Sequence, residues 1–162
     1  MRFDIVSRLR QNHALEHATI ACLRRKIKPN TMVFGRATTD GFCLYTDAPN
    51  EVVAQAAQEG LARLKTGESN LAVSPRCGTN LATTALLAAV ASMVAMKGSD
   101  RRNRLPNLLM LTMGAVMVGQ PLGQLAQRFV TTSADVSAVE IAHVSSKGDG
   151  RWTRHKIKTL RS

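Results

Sequence analysis

Two uncharged apolar runs, separated by one short basic turn, constrain this chain more than any other feature. No Asp, Glu, Lys or Arg occurs in residues 77–96 or in residues 105–127, and residues 97–104 between them carry Lys97, Arg101, Arg102 and Arg104. An α-helix rises 1.5 Å per residue, so about 20 residues cross a hydrocarbon core about 30 Å thick. Each run reaches or approaches that length. Neither run has a charged face, and the rest of a 162-residue chain cannot easily enclose two helices that are apolar all round. A buried hairpin of a soluble protein is the alternative, favoured by the Ala and Thr of the first run and by Gln120, Pro121 and Gln124 in the second. The expectation is a transmembrane helical hairpin over residues 77–128.

The flanking segments read as a small α+β layer domain. Residues 4–26 predict a helix, with Ile5, Leu9, His13, Glu16, His17, Ile20 and Leu23 at the spacing of one face. Pro29-Asn30 ends it. Met32-Val33-Phe34 and Phe42-Cys43-Leu44-Tyr45, joined through Asp40-Gly41, predict a β-hairpin. Pro49-Asn50 opens a second helix with Val53, Ala56, Ala57, Gly60, Leu61 and Leu64 inward, and Gly67 stops it. Leu71-Ala72-Val73 predicts a third strand. The order helix, strand, strand, helix, strand gives an N-terminal domain over residues 1–76. Val139-Glu140-Ile141-Ala142-His143-Val144 alternates like a strand returning to that sheet, within a segment at 129–146. A basic tail follows at 147–162.

The formal net charge of +11 and a pI near 10.6 suit anionic lipid or nucleic acid alike. Four Phe, one Tyr and one Trp are few for a binder of single strands, so nucleic acid is disfavoured as a partner. Membrane lipid and other membrane-protein subunits are the expected partners. Cys22, Cys43 and Cys77 are odd in number and irregular in spacing, which implies reduced thiols rather than a disulfide framework. The first residues lack the apolar core of a signal peptide, so the hairpin itself is expected to direct insertion, with both termini cytoplasmic. The cations of the turn are matched by Arg63, Lys65, Arg76 and Arg128 on the other side.

The chemistry-bearing motif is His13-Ala14-Leu15-Glu16-His17. Residues four apart on a helix project from one face, so both imidazoles can share one metal ion. Glu16, beside His17, is placed to act as a general base, and burying these three side chains costs several kcal/mol unless they are paired or metal-bound. Zinc is the expected ion. Cys77 is the expected third ligand, because a helix N-terminus stabilises a thiolate. His143 is a weaker candidate. A histidine-carboxylate hydrogen-bond cluster without metal is the competing reading.

The H-x-x-E-H pattern resembles the inverted-zincin metallopeptidases, whose third ligand is a distant helical Glu, a likeness that implies Glu51 or Glu59 of the second helix in that role. That likeness covers five residues. More broadly, His13-Ala-Leu-Glu-His-Ala-Thr-Ile20, Cys77-Gly-Thr-Asn80 and Pro121-Leu-Gly-Gln with Val130-Thr-Thr resemble a family of small bacterial membrane proteins known only as a domain of unknown function. This resemblance spans about residues 12–141 and implies a location in a bacterial cell membrane. The expected function is a membrane-anchored metal-binding protein working as a small zinc-dependent hydrolase or peptidase. Its alternative is a non-catalytic accessory subunit of a respiratory or photosynthetic membrane complex.

Overall fold

The structure is a computed structural model that describes residues 2–97, 103–148 and 152–161, with side chains from Asp4 onward. Arg101 and Arg102 of the basic turn and Arg151 of the tail lie outside the described residues. Two compact units are formed. Met1–Val73 and Thr131–Ser162 make the first, and Ser74–Val130 makes the second.

In the first unit the chain runs α1 (Arg2–Leu23), β1 (Phe34–Thr38), β2 (Gly41–Thr46), α2 (Asn50–Lys65) and a 3-10 turn (Ser69–Ala72), then after the second unit β3 (Val139–Lys147) and β4 (Thr153–Arg161). All four strands pair antiparallel in the order β1-β2-β4-β3, so β4 lies inside the sheet between β2 and β3. Both helices pack on one face of this sheet. Phe42 and Leu44 of β2 and Ile157 of β4 point inward at alternate positions, as a half-buried strand requires. They meet Leu15, Ala18 and Cys22 of α1 and Val53, Ala57, Leu61 and Leu64 of α2. Every residue expected on the inner face of α2 is buried.

The α+β class and the apolar hairpin stand as expected, but three local readings differ. Leu71-Ala72-Val73 is not a strand: a 3-10 turn occupies Ser69–Ala72. The place of a third strand is taken by the tail, whose alternation of Arg154, Lys156 and Lys158 with buried His155, Ile157 and Thr159 builds β4. The buried face of α1 is also displaced. Ile5 and Leu9 are exposed, while Asn12, Ala14, Leu15, Glu16, His17, Ala18 and Thr19 are all buried. Through this stretch α1 is enclosed on nearly every side, so no single stripe describes it.

The second unit consists of α3 (Gly78–Lys97) and α4 (Arg104–Ala126), the latter continuing into a π-helical turn (Gln127–Thr131). They pack antiparallel, with Asn80 against Gln120, Thr84 against Gly119 and Ser92 against Thr112. At Gly123 a Cβ would overlap the Asn80 side chain, so only glycine admits this close approach. Gln127 closes the base: its Oε1 accepts from the Ser74 N–H at 2.8 Å and its Nε2 donates to the Ser74 carbonyl at 2.9 Å. Both helices are long and apolar enough to cross a membrane, and 11% of the residues in each apolar window are buried. A core helix of a soluble protein would be mostly covered. Leu81, Met110 and Met117 are instead about three-quarters exposed, at 74%, 74% and 72%.

Candidate metal centre

The regular helical geometry of α1 brings His13 and His17 together, their ring centroids 4.4 Å apart and their planes crossing edge to face at 62°. His17 is buried and His13 half-buried. Each ring is held by a backbone carbonyl. His17 Nδ1 lies 2.8 Å from the Ala72 oxygen, and His13 Nδ1 lies 3.0 Å from the Thr131 oxygen. A carbonyl oxygen only accepts, so both Nδ1 atoms carry a proton and donate it. In its neutral form a ring so held is the Nδ1–H tautomer, with its lone pair on Nε2. Metal-ligating histidines are oriented in this way, with one ring nitrogen donating to a carbonyl and the other left for the ion.

The two carbonyls come from the places where the chain leaves the first unit and re-enters it. Arg10 secures the returning segment, donating from Nε and Nη2 to the Thr132 carbonyl at 3.2 and 3.0 Å and accepting from the Ser133 N–H at 3.1 Å. The first and last segments of the family-like pattern thus meet on α1. Its Cys77-to-Asn80 and Pro121-to-Gln124 segments meet within the second unit, where Gly123 lies against Asn80.

Glu16 is buried and turns its carboxyl onto β1, where a Cβ at residue 35 would overlap it. Gly35 therefore makes room for this carboxyl. Sequence reading passed over Gly35, although a glycine inside a strand pattern signals a close approach. It also passed over the Ala72 and Thr131 carbonyls, for which side-chain identity carries no signal.

Cys77 belongs to the second unit and directly precedes α3. Its Sγ accepts from the Thr79 N–H at 3.4 Å, and its carbonyl accepts from Asn80 N–H at 3.0 Å. Of the three expected ligands, the structure brings His13 and His17 together on α1 of the first unit, and Cys77 stands at the start of the second. The other candidates are placed differently. Glu59 pairs with Lys26 at 3.0 Å and with Arg63, and these cations hold its carboxyl below the usual range. Glu51 is exposed in the first turn of α2. His143 pairs with Lys158, on the sheet face that the helices leave open.

Residues 8–144 match the family described as "Domain of unknown function (DUF6391)". An uncharacterized protein of Picosynechococcus sp. (strain ATCC 27264 / PCC 7002 / PR-6) is 30% identical over 135 residues, covering 77% of this chain and 66% of the relative. The chain thus spans a little under two thirds of that relative's length. No solved structure matches the chain.

Proposed function

The chain belongs to the DUF6391 family, and on that premise we propose that it is a membrane-anchored metal-binding protein centred on His13 and His17. The observation that carries this reading is the histidine pair itself: two imidazoles stand on one helix face with ring centroids 4.4 Å apart, each turning Nδ1 to a backbone carbonyl. Cys77 is the third donor. It follows Ala72, the partner of His17, by five residues, a short tether for a ligand. Two imidazoles and a thiolate favour zinc over the harder, oxygen-seeking cations. Anchoring is by α3 and α4. Because β4 pairs with β2 in one sheet, the segments before and after the hairpin lie on the same side of a bilayer, as two crossings require. We assign that side to the cytoplasm of a bacterial cell, since the short basic turn is the easier part to translocate.

A bound ion would supply Lewis acidity, and hydrolysis of a peptide or ester would then need Glu16 as general base. The placement of the Glu16 carboxyl against Gly35 favours a second reading, in which the centre is structural and the chain is a non-catalytic subunit of a larger membrane complex.

Elemental analysis of detergent-purified protein tests the proposal. About one zinc per chain is expected, as one tetrahedral site implies. His13→Ala and His17→Ala should each abolish it, and Cys77→Ser should weaken retention. Glu16→Gln separates the readings: it keeps zinc in both, and abolishes hydrolysis only if the centre is catalytic. Protein that binds no zinc, cobalt or copper even after reconstitution overturns the metal centre.

A further inference from the structure

The sheet face that α1 and α2 leave open is patterned. Opposed residues of an antiparallel pair share a face, so three rows cross it: Phe34, Tyr45, Arg154, Lys147; then Arg36, Cys43, Lys156, Ser145; then Thr38, Gly41, Lys158, His143. Arg36, Lys147, Arg154 and Lys158 are exposed. Lys156 is engaged by Asp40 at 2.7 Å, and this contact holds the Asp40 carboxyl down to about 2. Glu140 is opposite Leu160, at the far end of the face.

Aromatic side chains gather at the other end. Trp152, just ahead of β4, lies over Phe34 with ring centroids 5.7 Å apart and planes tilted by 30°. Both are about half exposed, at 47% and 54%. Trp152 also walls a cleft of about 370 Å³ whose other sides are Lys28, Asn30, Thr31, Met32 and Asp47. Of the six Phe, Tyr and Trp residues, three stand on or beside this one face. The low aromatic content of the whole chain is therefore a poor guide to the local density.

We propose that this open face binds single-stranded nucleic acid, with a base seated in the Trp152 cleft and the backbone tracking across Arg154, Arg36 and Lys158. Stacked aromatics beside a row of cations on a helix-free sheet are what a flexible polyanion with flat bases needs. Rows on a strand face repeat about every 7 Å, a spacing that lets successive phosphates meet successive cations. A bilayer surface would use the cations and rings, but it has no use for Asn30 and Asp47 beside Trp152. An amide and a carboxylate suit the donor and acceptor edge of a base. The site is separate from the histidine pair and does not depend on metal.

Trp152 is the single tryptophan of the chain, so its fluorescence reports this cleft alone. Full-length protein in nanodiscs of zwitterionic lipid would be titrated with oligouridine RNA and oligo-dT DNA. Saturable quenching is expected. Three engaged cations imply that affinity falls roughly a hundredfold for a tenfold rise in salt. Phe34→Ala and Arg154→Glu should each weaken binding roughly tenfold, with melting temperature and metal content unchanged, because both side chains are exposed. Absence of quenching by either oligomer at low salt overturns the proposal. So does quenching that survives both substitutions. If brominated anionic lipid quenches Trp152 while oligonucleotides do not, the face is a membrane surface and the proposal falls.

Discussion

His13 and His17 donate from Nδ1, and the carbonyls that receive those protons come from different parts of the chain. The neighbouring carboxyl depends on a missing side chain, because Glu16 occupies space that a Cβ at Gly35 would take. Gly35→Ala should therefore displace Glu16 or bend β1, lowering stability by about 1–3 kcal/mol, as overpacking in a tight site does. Denaturant unfolding of wild type and variant would check this, and equal midpoints would show that the strand yields freely. A third histidine sets the pH response. His155 is buried in β4 with Nδ1 donating to Asn50 Oδ1 at 3.2 Å. Burial pushes its pKa below the usual value, against the opposing effect of backbone hydrogen bonds at Thr46 and Ala48. The unfolded chain takes up a proton at about pH 6.5 and the folded chain only at lower pH, so the unfolded state binds more protons in between. Stability is thus fully present above about pH 6.5 and is lost as pH falls toward the depressed folded value. In metal-free protein, melting temperature should drop between pH 7.5 and 5, and His155→Leu should flatten that slope.

The elements differ in how much of each could be read ahead. The pattern of α2 was fully legible: Val53, Ala56, Ala57, Gly60, Leu61 and Leu64 form one face against one core. The hairpin of α3 and α4 was legible for the same reason, since an uncharged run about 20 residues long has few other folds. The middle of α1 was not, because buried Asn12, Glu16 and Thr19 break any apolar stripe. Asn12 donates to the Thr38 carbonyl at 2.7 Å and accepts from Thr159 at 2.9 Å, partners that only the folded sheet supplies. The tail was obscured by its charge. Lys and Arg at alternate positions of β4 read as solvated residues until the intervening His155, Ile157 and Thr159 are seen to be buried. Of the metal centre, the i, i+4 histidines and Cys77 were visible as residue types, whereas the tautomers depend on tertiary contacts. Since β4 lies between β2 and β3, a chain truncated after Gly148 loses the neighbour of both. It should show no cooperative unfolding of the first unit, measured by near-ultraviolet circular dichroism and thermal melting. A cooperative melt at the full-length temperature would mean that the other strands suffice.

At the scale of the whole molecule, two units call for two solvents. The first buries Phe42, Leu44 and Ile157 in its own core, while the second turns Leu81, Met110 and Met117 outward. Full-length protein should resist carbonate extraction and need detergent. Single cysteines placed at Ser7 and Ser146 in a cysteine-free background should both be shielded from an impermeant thiol reagent in intact cells and both react after lysis. Opposite behaviour at the two positions would rule out a hairpin that returns to its starting side. The strand order carries one more consequence, for the time at which this protein comes into being. β4 pairs with β2, yet the ribosome makes it only after both apolar helices. Until the tail is made, the early domain stands with Phe42 and Leu44 bare on one flank, a contact of long sequence separation still unmade. On the proposed membrane reading, insertion should come first and the sheet close afterwards. Since the Thr131 carbonyl that orients His13 is also synthesised after the hairpin, the histidines acquire their final setting only in a chain that has already made both apolar helices.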